Sequence, residues 1–165
     1  MCRMNNDTRV KRLNSNGIQQ GEYLLYWMQA SQRVEENHAL EYAIKKANEL
    51  DLPVLCVFCL TSEFAEASLR HYQFMIEGLN EVSRTLEDRK VGFALVLGAP
   101  FERIPQLAEA ASLVVVDRDY LRLQRQWRTQ VAKQISCSLV QVETNVIVPI
   151  EEASNKEEYA AYTIR

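Results

Sequence analysis

Val54-Leu55-Cys56-Val57-Phe58-Cys59-Leu60 runs for seven residues without a polar side chain. A strand that is apolar at every position has no face to turn toward water. That is the pattern of a central parallel strand covered on both sides. Tyr23-Leu24-Leu25-Tyr26-Trp27-Met28 and Leu113-Val114-Val115-Val116 repeat it, and helical spacing fills the intervals between them. This alternation restricts the chain to the α/β class.

A helix is expected from about Gln32 to Leu50, with Leu40, Ala43, Ile44, Ala47 and Leu50 on one face and Asp51-Leu52-Pro53 as its end. A second is expected from roughly Ser68 to Arg89, where Tyr72, Met75, Ile76, Leu79, Val82 and Leu86 recur at three- and four-residue spacing. Strand three is Phe93–Leu97, and the short helix after it has Pro105 in its first turn, where a missing N–H costs little. A fourth helix turns Leu123, Trp127, Val131 and Ile135 inward, and Ser138–Val142 is strand five. Repeated βα units with right-handed crossovers predict a five-stranded parallel, doubly wound, Rossmann-like sheet of order 3-2-1-4-5, with helices on both faces. Residues 1–20 read as a flexible basic arm carrying Arg9, Lys11 and Arg12, residues 21–150 as the α/β domain, and 151–165 as the start of a linker.

In that strand order the direction reverses between strands one and four, and ligands of open α/β sheets bind at such a switch point. Its walls are Met28-Gln29-Ala30-Ser31-Gln32-Arg33 and Asp117-Arg118-Asp119-Tyr120, bordered by Glu143–Asn145. The turn after Met28 has no glycine, and a dinucleotide fingerprint needs glycines so that backbone can approach a pyrophosphate. A ligand here is met by side chains. Met28, Gln29, Arg33, Asn37, Asp117, Arg118 and Asp119 are the candidate binding residues. Arg33 and Asn37 lie one turn apart near a helix N-terminus, where an anion is favoured, although Arg33 could instead bridge to Glu35, Glu36 or Asp117. Asp117 and Asp119 either hydrogen-bond a polar ligand or respectively pair an arginine and cap the next helix. Arg118, Arg122, Arg125 and Arg128 form a stripe that reads as a solvated face more readily than as a phosphate contact.

The net charge of −3 argues against a domain that grips nucleic acid alone. No apolar run approaches the length of a membrane span, and Met1–Asp7 lacks the core of a secretory signal, so the cytoplasm is expected. Cys56 and Cys59, three apart in a strand, point to opposite faces, and with His38 and His71 as the sole histidines a metal site is not expected. No Walker, nucleophile-elbow or zincin motif is present.

The wording "YWM…QR.E.N.AL" from Tyr26 to Leu40 resembles class II cyclobutane-pyrimidine-dimer DNA photolyases. "PVLCVFCLT.EF" from Pro53, "R.Y.FM.EGL.E" from Arg70 and "N.I.VP.E.AS.K.EYAA.T.R" from Asn145 extend the likeness over most of the chain. His38 departs from it, where an aromatic is commoner. The resemblance implies an N-terminal α/β antenna domain that carries a pigment such as 8-hydroxydeazaflavin or folate. It implies that FAD and the residues for light-driven dimer splitting lie in a C-terminal helical domain absent here, and that UV-damaged DNA is met through the full-length protein. The chain alone is then not expected to be catalytic. Tyr159, Tyr162 and Ile164 fit an excised domain, needing another surface to bury against. A stand-alone nucleotide- or pigment-binding module, and a docking domain with a vacant pigment site, are the alternatives.

Overall fold

The computed structural model describes residues 8–62, 64, 67–154 and 156. Strands β1 (Val10–Arg12), β2 (Tyr23–Met28), β3 (Val54–Leu60), β4 (Gly92–Leu97), β5 (Ala111–Asp117) and β6 (Ser138–Val142) form one sheet of order β1-β6-β5-β2-β3-β4. The last five are parallel to one another in the expected order, with the switch point between β2 and β5. The sheet nevertheless has six strands.

The extra strand corrects the reading of residues 8–20 as a flexible arm. β1 pairs antiparallel with β6, Val10 opposite Val142 and Arg12 opposite Val140. Arg9 is buried, and its guanidinium donates to the carbonyls of Val146 at 2.8 Å and Ile147 at 2.6 Å. Asn14 and Asn16 donate to the carbonyls of Cys137 and Ile135. The charges that suggested disorder are those of a short edge strand, where Lys and Arg blunt pairing with other chains. Residues 1–7 of the arm, and Tyr159, Tyr162 and Ile164, lie outside the described residues.

Helices α1 (His38–Leu50) and α2 (Leu69–Asp88) cover one face of the sheet, and α3 (Pro100–Ala108) and α4 (Arg122–Gln134) the other. Alternation along β2 divides its side chains between two cores: Leu24, Tyr26 and Met28 meet Leu40, Ala43 and Leu79, while Leu25 and Trp27 meet Ile104, Trp127 and Val131. Cys56 and Cys59 part in the same way, as their spacing requires. All five β2 side chains from Leu24 to Met28 are at most 1% exposed, so this strand alone contributes on the order of 10 kcal/mol of burial. Gly21 leads into it so close to β5 that a Cβ would sit 2.4 Å from the Ser112 nitrogen.

Two helix boundaries differ from expectation. α1 begins at His38, because Asn37 leaves the helical region and its side chain caps the Leu40 N–H. Pro105 lies beyond the first turn of α3, whose N1 position is taken by Pro100. A short fifth helix, α5 (Ile150–Ala153), follows β6.

Candidate functional site

The carboxyl ends of β2 and β5 are tied by one buried carboxylate. Asp117, fully buried, accepts backbone N–H bonds from Gln29 at 2.7 Å, Ala30 at 2.6 Å and Ser31 at 2.8 Å. Burial pushes its pKa up from the ordinary value, and the backbone donors oppose that rise. The Tyr26 hydroxyl lies 3.3 Å from it, and burial followed by the Asp117 charge raises that phenol well above its usual value. The Asn37 amide donates to Tyr26 at 3.0 Å and to the carbonyls of Ser31 and Arg33. The turn needs no glycine because a carboxylate satisfies its amides.

The candidate residues separate into three groups. Met28, Asn37 and Asp117 are 0% exposed and engaged with their own domain, so the expectation that Asp117 pairs with arginine is corrected: its partners are amides. Arg33 and Arg118 hold the loop after β6. Arg33 donates to Asn145 Oδ1 at 2.8 Å and to the Glu36 carbonyl, and sits in a loop, not on a helix. Arg118 lies 3.3 Å from the buried Glu143 and 2.7 Å from Glu151, and Tyr120 donates to Glu143 as well. Gln29 and Asp119 form the third group and line a cavity.

That cavity has a volume of about 330 Å³ and lies on the β3 side of the switch point. Its apolar wall comes from Phe58 and Leu60 at the end of β3, Phe64, and Tyr72 and Met75 on α2. Its polar side comes from Gln29, Gln32, Asp119 and Gln124. Asp119 Oδ1 accepts the Leu121 N–H at 3.0 Å in the turn before α4; the capping role weighed for it is not met, because the N-cap is Leu121 and no side chain caps the helix. Arg128 is buried, not solvated, and donates to Gln29 Oε1 and the Asp119 carbonyl, each at 2.6 Å, bridging the two loops. The stripe reading thus fails for Arg128 and for the paired Arg118, while Arg122 and Arg125 are exposed.

Gln124 Oε1 is the one buried side-chain oxygen or nitrogen without a hydrogen-bond partner among the described residues. Gln124 is 5% exposed and lines the cavity. An acceptor stripped of water and left unpaired costs about 1–3 kcal/mol. Sequence reasoning missed Gln124 and the α2 wall. The available signal was the first half of α2, whose Tyr72 and Met75 keep helical spacing with Leu79 but face the end of β3. Cys59 also borders the cavity, and burial pushes its thiol up to about 12. Among the described residues, no cluster of His, Cys, Asp or Glu could hold a metal ion, and no helix is long and apolar enough to cross a membrane.

A doubly wound sheet with a side-chain-lined cavity beside its switch point defines an α/β domain of the class whose ligands bind at that point. The chain matches the DNA photolyase family model over residues 24–165 and belongs to that family. It is 44% identical over 158 residues to the deoxyribodipyrimidine photo-lyase of Methanothermobacter thermautotrophicus, covering 95% of this chain and 36% of that protein. To the enzyme of the same name from Potorous tridactylus it is 37% identical over 150 residues, covering 88% and 28%. The chain therefore spans about a third of the length of these curated relatives. An archaeal photolyase from Sulfolobus tokodaii, solved with two FAD molecules and described as implicating a novel light-harvesting cofactor, shares the fold. It superimposes with a TM-score of 0.68 at 17% identity, covering 76% of this chain and 30% of that one.

Proposed function

We propose that the chain is the light-harvesting domain of a class II DNA photolyase and holds an antenna pigment in the cavity beside Gln124. The observation that carries this reading is a cavity with an aromatic and aliphatic wall whose polar side is Gln29, Gln32, Asp119 and Gln124, the last with a buried, unpaired Oε1. A planar heteroaromatic with an N–H edge, such as 8-hydroxydeazaflavin or a folate, suits that lining. Its ring stacks on the apolar wall and its N–H satisfies Gln124, while Gln29 and Asp119 border the ring edge. About 330 Å³ is within the range of small-molecule sites. Among the remaining candidates, Asn37 and Asp117 fix the turn that carries Gln29, Met28 is buried in the core, and Arg33 and Arg118 hold the neighbouring loop.

The parent activity is repair of cyclobutane pyrimidine dimers in UV-damaged DNA by electron transfer from reduced FAD, in the cytoplasm. FAD belongs to a C-terminal helical domain, with residues 151–165 as the start of the connection to it. This chain collects light and does not itself split the dimer.

Titration of the 165-residue chain with 8-hydroxydeazaflavin and with a reduced folate, followed by pigment absorbance and fluorescence polarisation, tests the assignment. Saturable binding of one pigment is expected, weakened up to about tenfold in Gln124→Leu by loss of one hydrogen bond. Absence of binding for both pigments, or binding indifferent to Gln124→Leu and Met75→Ala, overturns it.

A further inference from the structure

A second concavity, of about 360 Å³, lies across the sheet from α1 and α2, between α4 and the β1–β6 edge. Lys11, Arg125, Arg128 and Lys133 line it together with Thr129 and Gln141, and no carboxylate does. Arg122 extends it through an adjoining hollow that shares Arg125 and Thr129. From Arg122 to Gln134 helix α4 carries four cations and no acidic residue, in a chain whose net charge is −3. Lys11, Arg122, Arg125 and Lys133 form no ion pair among the described residues. On the loops beside the furrow, Glu151 is engaged with Arg118, Asp119 with the Leu121 N–H, and Asp117 with the turn amides, and Glu102 of α3 and Glu109 just after it line a separate hollow with Gln134. Arg128 closes the floor, where its contacts to Gln29 and the Asp119 carbonyl hold it without consuming the other cations.

Cations gathered in a furrow with no protein counter-charge make a seat for an external polyanion. We propose that the α4–β1 furrow binds the phosphodiester backbone of duplex DNA without reading bases. This assignment rests on reading the chain as part of a DNA photolyase. Eleven residues separate Arg122 from Lys133, about 16 Å of helix at 1.5 Å per residue. That length faces about five phosphates of one strand at ~3.4 Å each. The exposed Lys11, Arg122, Arg125 and Lys133 supply the phosphate contacts, and Thr129 and Gln141 supply neutral hydrogen bonds. The negative net charge of the chain is reconciled with this because the cations are segregated on one face.

Fluorescence anisotropy of a labelled duplex of about 20 base pairs, with the full 165-residue chain titrated at about 50 to 200 mM salt, tests the proposal. The expected result is weak, damage-independent binding whose log affinity falls with log salt at a slope of about −3. Arg125→Glu with Lys133→Glu lowers affinity at least about tenfold and the slope by about 2, since each lost phosphate contact removes about one. Lys45→Glu with Arg84→Glu makes the same change in net charge on the α1–α2 face and leaves the slope unchanged. No binding at the lowest salt, or equal effects of the two double variants, overturns the assignment. Inorganic pyrophosphate is the third arm. If it raises the melting temperature through Arg125 and Lys133 while the duplex does not bind, the furrow takes a small anion and the DNA assignment is wrong. Pigment titration is read separately, so loss of DNA binding leaves the antenna reading standing.

Discussion

Asp117→Asn keeps the shape of the side chain that ties β2 to β5 and changes only what it offers. The wild-type carboxylate presents two acceptors to three backbone amides at 2.6–2.8 Å. The amide of asparagine keeps one acceptor and turns an NH₂ toward at least one backbone N–H. A charge-assisted hydrogen bond is worth about 1.5–3 kcal/mol, and the orphaned donor adds about 1 kcal/mol or more. Removing a buried charge returns about 1 kcal/mol, leaving a net loss of about 2–3 kcal/mol. For a chain of this size that corresponds to a fall of about 5–10 °C in melting temperature. Urea and thermal denaturation of the full chain followed by circular dichroism measure both.

The pH dependence carries its own sign. Because burial raises the Asp117 pKa in the folded state above the ordinary aspartate value, the protonated form favours the fold. That contribution is complete below the unfolded value and is lost as pH rises through the raised folded value. The gap between wild type and Asp117→Asn is therefore widest at acid pH and narrows above that window. Equal stabilities at neutral pH would refute the view of Asp117 as a buried acceptor for the turn, and a gap that widens with rising pH would refute the raised folded-state pKa.

Arg9→Ala removes the donor to the Val146 and Ile147 carbonyls and costs about 2 kcal/mol in urea denaturation. A flexible arm would give no change. Cys56 and Cys137 are buried with their thiols pushed up by burial, and Cys59 is pushed up to about 12. Iodoacetamide at mildly alkaline pH therefore leaves all three unlabelled in the folded chain and labels them after denaturation, as peptide mass spectrometry reads out.

Long apolar runs made β2, β3 and β5 legible, because a strand buried on both faces has no freedom in composition, and the alternation with helices made the order of the five parallel strands legible through the handedness of the crossovers. β1 was not legible in that way: three residues, two of them charged, carry no run, and their pairing depends on β6 and the Arg9 anchor. The start of α1 misled for a different reason. Gln32, Arg33, Glu35 and Glu36 are acceptable helix formers, but the bonds from Gln29, Ala30 and Ser31 to Asp117 and a turn that puts Glu36 at φ 50° keep the chain out of the helix until Asn37 caps it. At the site, the absence of glycine from the turn has a structural counterpart, since its amides are spent on Asp117. Which of the candidate side chains face a ligand was hidden, because Asn37 and Asp117 are spent on the turn and the apolar wall depends on how α2 packs over β3. The family resemblance was legible from motif wording and did not depend on any of these choices.

The antiparallel edge strand also bears on the order in which the chain assembles. Arg9 meets Glu143 across 134 positions of sequence, whereas each βα unit closes over a much shorter loop. Long closures are entropically late events, rewarded only once their partner exists. A ribosome releases residues 8–12 before any strand of the parallel sheet, yet β6 must be in place before they have anything to pair with. The earliest described segment to emerge is thus the last to settle, and its docking reports that the whole sheet has closed.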